Sequence, residues 1–411
     1  MKQKAIKNIL SVCAFIHANI LTRQQFNIKP SKGTATDNRT QTPVFYSIIS
    51  IMRKRLESLQ TVRFIAFLGV FISHTSFAVF KKLGCFSVSV FFVLSGFLMM
   101  HNYYQSGRIK DVSFMRNVRF SAGKMKKLYP LHLVTAIMVF VPNFILYPVL
   151  RKQLGLELVF NTFLLHAWNP FCRNMLNYTS WFISCLAFDY FLFPTVLKRI
   201  ENKERDINSG IRMLSALFVV QIFMGAVLAW VSPLVARSLR LEDVTAFRTW
   251  FIYNFPLSRL IDFLIGIDLY LIFFGRDKTI KKDRTIYEIL SFAAAFLALV
   301  LSNRYADQWW SDVVVFTPFS CLIVYLFAVG QGKISEYRSS FIMSISDLSG
   351  EGFLIHSVVF IYIESIVYRL IGMFQLSGVD SALAVDITRL TAGFLITVAL
   401  SRLWRSCGFF K

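Results

Sequence analysis

The sequence predicts an all-α fold, a polytopic membrane protein of about ten transmembrane helices. Three observations point there. The 411-residue chain is 55% hydrophobic and only 17% charged, with a mean hydropathy of +0.54. Soluble domains run nearer 45–50% apolar and about 25% charged. The apolar residues come in runs long enough to cross a bilayer, which takes about 20 residues per helix. The formal net charge of +22 is gathered in short basic clusters between those runs, the pattern of cytoplasmic loops. That distribution argues against a nucleic-acid partner and for a lipid bilayer. The same clusters suit an anionic substrate.

Taken in order, residues 1–51 read as a poorly defined N-terminal extension. "ILSVCAFIHANIL" is apolar but short, a signal-like stretch at most, and "QQFNIKPSKGTATDNRTQTP" is polar and expected to be disordered. Met52, followed by Arg53, Lys54 and Arg55, reads as an alternative initiator. Residues 52–411 form the membrane domain. Its expected spans are 62–80, 85–104, 129–150, 180–198, 212–236, 253–275, 286–303, 311–330, 341–369 and 382–404. The ninth is long enough to be kinked or tilted. The piece "LVFNTFLLHAW" (158–168) is too short to span and is expected to be interfacial or re-entrant.

Loop charge fits this count. Basic clusters precede span one and follow spans two, four, six, eight and ten, and the alternate loops are poorer in Lys and Arg. Both termini are therefore expected on the cytoplasmic side of the cell membrane. Six cysteines (Cys13, Cys85, Cys172, Cys185, Cys321 and Cys407) are scattered without a CxxC, which indicates neither a zinc site nor a disulfide framework. No metal is expected. No GxGxxG, P-loop or HExxH occurs.

The chemistry centres on "RFIAFLGVFISH", Arg63 to His74. Ionisable residues within a span are functional candidates. A helical rise of about 1.5 Å per residue puts His74 roughly 16 Å beyond Arg63 and on nearly the same face. A neutral imidazole can take a proton from a hydroxyl and return it later. The other reading is a histidine that bonds a neighbouring helix, and position alone leaves the two even.

The chain resembles the acyltransferase-3 family of integral-membrane O-acyltransferases. Arg63 and His74 match its Arg-x10-His signature, and "CFSVSVFFVLSGFLM" resembles the Gly-Phe-Ser segment of its second span. Arg116 and Arg119 in "FMRNVRF" match an Arg-x-x-Arg motif. "KKLYPLH", "SWFISCLAFDYFLFP", "NFPLSRLIDFLIGIDL" and "SDLSGEGFLIH" resemble later family segments, in order, over residues 55–404. The resemblance implies transfer of an acyl group, usually acetyl, from cytoplasmic acyl-CoA to a hydroxyl of a glycan or lipid-linked sugar. His74 would be the general base, with Arg63 orienting or charge-stabilising the site. Acyl-CoA would be the donor substrate, with no permanently bound cofactor. The chain departs from the family where a glutamate is usual: Leu186 and Ala187 stand in one such region and Asp262 replaces another.

Chemistry and resemblance together assign the rest. Arg116 and Arg119, neighbours if helical, suit the phosphates of CoA, because guanidinium grips phosphate bidentately. His356 is assigned a structural or acceptor-binding role. Arg259 and Asp262, at i and i+3, can pair, and they and Trp181 are candidates for binding substrate. Ser95 and Gly96 are read as helix-packing residues, and His101 and His132 as structural. His166, Trp168 and Trp181 are expected near the outer interface, either as membrane anchors or stacked on a sugar ring. The alternative function is a secondary transporter of a polar or anionic solute, which would also place ionisable groups at mid-membrane.

Overall fold

A computed structural model describes residues 42–171, 176–202, 207–241, 243–275, 282–374 and 380–407. The expectations for residues 1–41 lie outside them. No strand occurs among the described residues.

The described residues begin with α1 (Thr42–Ser73), α2 (Leu83–Tyr103) and α3 (Phe114–Met125). It continues through α4 (Tyr129–Leu146), α5 (Arg151–Thr162), α6 (Trp181–Glu201), α7 (Ile207–Ser238) and α8 (Pro256–Gly275). The last elements are α9 (Thr285–Arg304), α10 (Thr317–Val329), α11 (Ser340–Asp347), α12 (Ser349–Met373) and α13 (Ser381–Ser406). Among the described residues, α2, α4, α6, α7, α9, α12 and α13 are long and apolar enough to cross a membrane. Helix α8 is as long but carries Arg259, Asp262 and Asp268.

Three expected spans differ in detail, the eighth being helical only over the 13 residues Thr317–Val329. The ninth is not one rod: α11 ends at Asp347, and α12 starts at Ser349. The first is not helical to residue 80. Helix α1 stops at Ser73, and only a single 3-10 turn, Ala78–Phe80, follows before α2. The reason lies in small polar side chains that compete for backbone groups. Ser73 Oγ donates to the Val70 carbonyl at 2.7 Å and Thr75 Oγ1 to that of Ile72 at 2.8 Å.

The centre of the bundle is the crossing of α2 and α8. A Cβ added at Gly96 would lie 2.0 Å from the Phe263 carbonyl oxygen, and one at Gly266 would lie 2.0 Å from that of Val93. Only glycine lets the two backbones touch, the usual device where lipid gives helices no hydrophobic reason to associate. Gly96 thus has the packing role its sequence context suggested.

Helix α3 lies along α6. Ser113 caps it by accepting from the Arg116 N–H, Asn117 Nδ2 donates to Thr195 Oγ1 at 2.8 Å, and Ser121 Oγ donates to the Ala187 carbonyl at 2.6 Å. Its opposite face is exposed and carries both motif arginines. Helix α5, with about 18 Å of rise for 12 residues, is too short to span, and it takes in only residues 158–162 of the short piece expected at 158–168. It returns through the 3-10 turn His166–Trp168 to the start of α6. His166 and Ala167 of that turn are buried in protein.

Candidate active site

His74 sits on the turn that ends α1, not on the helix itself. Its ring packs 5.3 Å from that of Tyr178, 5.3 Å from that of His356 and 6.2 Å from that of Phe360. His356 lies seven residues into α12, so the cluster stands about 10 Å along that helix from its start, within the bundle rather than at its rim. The imidazole points into protein, not into lipid.

The two histidines differ in environment. His356 is fully buried, and its Nδ1 lies 3.1 Å from the Gly352 carbonyl. A carbonyl can only accept, so Nδ1 carries the proton and Nε2 keeps a lone pair. That Nε2 is buried and has no hydrogen-bond partner among the described residues. His74 is half-buried. The structure therefore brings together two residues that the sequence treated separately, at a position where one can take a proton while the other faces it.

Tyr178 connects this cluster to a cavity of about 440 Å³. Glu157, Asn161 and His166 line it from α5 and the following turn, Tyr178 and Trp181 from the start of α6, and Trp250 from the segment before α8. His166 and Trp181, expected near the outer interface, are wall residues of this cavity. Behind the wall, the His132 and His166 rings stack at 5.4 Å. His132 Nε2 meets the Asn161 carbonyl at 3.0 Å, and His166 Nε2 meets Ser180 Oγ at 3.2 Å. His132, for which the sequence suggested no partner, thus has one. Trp168 packs between Phe188 and Phe255 at 4.8 and 5.4 Å.

Arg63 is half-buried on α1, eleven residues before His74, and donates to Gln60 Oε1 at 3.3 Å. Its electrostatic neighbours are Tyr190, Asp347, Glu351 and Arg405. The two residues have different neighbours, His74 meeting Tyr178 and His356 instead. The two side chains flank different depths of the bundle.

Arg259 and Asp262 do pair, at 2.7 Å, with both side chains fully buried. Asp262 also accepts from Gln221 Nε2 at 2.6 Å, Thr317 Oγ1 at 2.8 Å and Ser89 Oγ at 3.3 Å. The guanidinium lies 4.8 Å from the Phe92 ring centre and 5.4 Å from that of Tyr253. This knot ties α2, α7, α8 and α10 together. It reaches the cavity wall through Tyr253 and Phe92, whose rings lie 4.9 and 6.3 Å from that of Trp181.

Arg116 and Arg119 occupy the exposed face of α3, and Arg116 pairs with Asp111. Helix α3 docks on α6 through Asn117 at Thr195 and Ser121 at Ala187, about 21 and 9 Å along the helix from Trp181, with the arginines turned to the other face. The two arginines are therefore well separated from the cavity and from His74.

The residues that sequence reasoning missed are Tyr178, Glu157, Asn161 and the acidic and basic groups of the last two helices, Glu364, Asp386 and Arg389. The last three carried the same signal that drew attention to His74, an ionisable residue inside an apolar run.

Comparison with known proteins decides the class. The acyltransferase domain of the acyltransferase-3 family matches residues 56–403. The chain belongs to that family. This acyltransferase is also 28% identical over 331 residues to the acyltransferase MdmB of Streptomyces mycarofaciens, which covers 75% of this chain and 80% of the relative. No solved structure matches it. The protein is a multi-pass membrane enzyme that transfers acyl groups, which displaces the transporter alternative.

Proposed function

We propose that the enzyme moves an acyl group, acetyl in the simplest case, from cytoplasmic acyl-CoA to a hydroxyl of a cell-surface glycan or lipid-linked sugar, in the cytoplasmic membrane with both termini inside. One observation carries the reading: the His74 imidazole stands in a helix break inside the bundle, one ring away from a 440 Å³ cavity. The cavity wall combines Trp181 and Trp250 with Asn161 and Glu157, flat apolar rings beside hydrogen-bonding groups, which suits a polyhydroxylated ring.

In the reaction, His74 accepts the proton of the acceptor hydroxyl as its oxygen attacks the thioester carbonyl carbon. The C–O bond forms, the C–S bond breaks, and the CoA thiolate leaves with the proton that His74 returns. The facing His356 ring supports the orientation of the base. Arg116 and Arg119 would hold the nucleotide phosphates. Their distance from the cavity supports a long donor whose phosphates and thioester are read at separate places, with Arg63 placed along its course. Acyl-CoA is a substrate here, and no bound cofactor takes part.

The test uses the full-length protein in lipid nanodiscs with radiolabelled acetyl-CoA. Wild type is expected to release CoA slowly and His74→Ala to lose that release. Equal release by both would remove His74 as the base. Mass spectrometry of envelope glycans with and without the enzyme identifies the acceptor.

A further inference from the structure

We propose that Asp386 and Arg389 of α13 are positioning residues that grip the backbone where it leaves the His74 side chain and so set its imidazole. The proposal rests on the reading of His74 as the base.

Where a helix ends, its last carbonyls and the next N–H groups need partners. Within a membrane, water does not supply them. The break at Ser73 takes its partners from the other end of the chain. Arg389 Nη1 donates to the His74 carbonyl at 3.1 Å. Asp386 Oδ2 accepts the Ser76 N–H at 2.7 Å and also accepts from the Ser76 hydroxyl. The backbone that carries the imidazole is thus held just after it, at His74's own carbonyl and at the N–H two residues on.

The tether is itself braced. Arg389 Nη2 pairs with Glu364 Oε2 at 2.6 Å, and its guanidinium lies 5.4 Å from the centre of the Phe360 ring. Phe360 is the same ring that packs against His74. Asp386 and Arg389 are three residues apart and share a helical face. A π-helical segment, Arg389–Gly393, begins at the arginine, and such insertions are frequent at functional sites.

Economy argues against a purely structural purpose. An apolar pair would join α13 to the bundle without the desolvation that a buried carboxylate and a guanidinium incur. What charged groups add is direction: hydrogen bonds fix the turn in one geometry, whereas hydrophobic contact would not. A base misplaced by about 1 Å can lose roughly 100-fold in rate, so the fixed geometry has catalytic value.

The experiment compares Asp386→Ala, Asp386→Asn, Arg389→Gln and Arg389→Lys in full-length protein in nanodiscs. CoA release from acetyl-CoA gives kcat and KM, and carbethoxylation of His74 by diethyl pyrocarbonate, followed by mass spectrometry, reports its exposure. Asp386→Ala and Arg389→Gln are expected to lower kcat about 10- to 100-fold with KM nearly unchanged, and to speed carbethoxylation of His74. Asp386→Asn keeps an oxygen for the Ser76 N–H and Arg389→Lys keeps a charged donor, so each should recover much of the rate. Combined with His74→Ala, neither loss should deepen the defect, because the tether acts only through that ring.

Wild-type kcat in a folded Asp386→Ala protein, a further loss on top of His74→Ala, or unchanged carbethoxylation would overturn the proposal. If His74→Ala releases CoA at the wild-type rate, the catalytic reading fails, and the tether is then judged on carbethoxylation alone. Should Asp386→Ala not fold, Ser76→Ala removes one arm of the tether from an exposed side chain and should give the same changes on a smaller scale.

Discussion

Two buried polar clusters of this acyltransferase invite comparison: the Arg259–Asp262 knot and the His74 turn. In the knot, one carboxylate is paired and accepts hydrogen bonds from three other helices, with no exposed surface on either charged side chain. At the turn, the backbone is firmly held but the imidazole is only half-buried and faces a second ring whose Nε2 has no partner. Both clusters obey the rule that ionisable groups in apolar segments are retained for a reason. The reasons differ. In the knot the carboxylate is saturated and ties helices, while the Arg259 guanidinium makes no hydrogen bond beyond its ion pair among the described residues; at the turn the available polar atoms sit on imidazoles, which can take up and return a proton.

That contrast can be broken by experiment. The largest effect is expected at the turn: His74→Ala should cut turnover by about 100- to 10,000-fold while leaving the thermal unfolding of the detergent-solubilised protein near that of wild type. A large fall in melting temperature would make His74 a structural residue like the knot. The converse holds for Asp262→Ala, which strands a buried guanidinium and should destabilise the protein by about 3–5 kcal/mol, seen as loss of the monodisperse peak on size exclusion. Folded, inactive Asp262→Ala protein would instead make the knot part of the catalytic machinery.

A smaller effect is expected from the paired change Arg116→Gln and Arg119→Gln. Both side chains are exposed, so stability should be unaffected. Loss of charge-assisted contacts worth about 1.5–3 kcal/mol each in favourable geometry should raise KM for acetyl-CoA with kcat kept. An unchanged KM would leave these arginines as membrane-surface charge. The smallest is Gly266→Ala. Its new methyl would meet the Val93 carbonyl, and overpacking of this kind costs about 1–3 kcal/mol, read as faster thermal inactivation with normal activity before heating.

Much of the fold was legible beforehand because membrane helices announce themselves by local composition. Each expected span coincides with helix for most of its length, and a short helix, Arg151–Thr162, overlaps the start of the piece set apart at 158–168. The departures have local causes that composition averages away. Ser73, Thr75 and Ser76 turn the chain out of the helix inside an apolar run, and Leu348 divides α11 from α12. The site was partly legible. His74 and His356 stood out as titratable residues in apolar runs, and Arg259 and Asp262 as a helical pair. Their meeting, or lack of it, was not. His74 and His356 are 282 residues apart in sequence, and the Asp386 contact joins residues separated by 310.

By itself, the sequence determined that this chain lives in a membrane, which segments are helical and which polar residues are too expensive in lipid to be incidental, because hydropathy and helical spacing are properties of neighbours along the chain. Only the tertiary structure decided which of those residues meet: that the first span breaks at Ser73, that the last span supplies the partners for the break, and that α5 and the turn after it help wall a cavity beside it. Those are long-range pairings. Burial dictates that the freed backbone groups be satisfied, but nothing in local composition says from where.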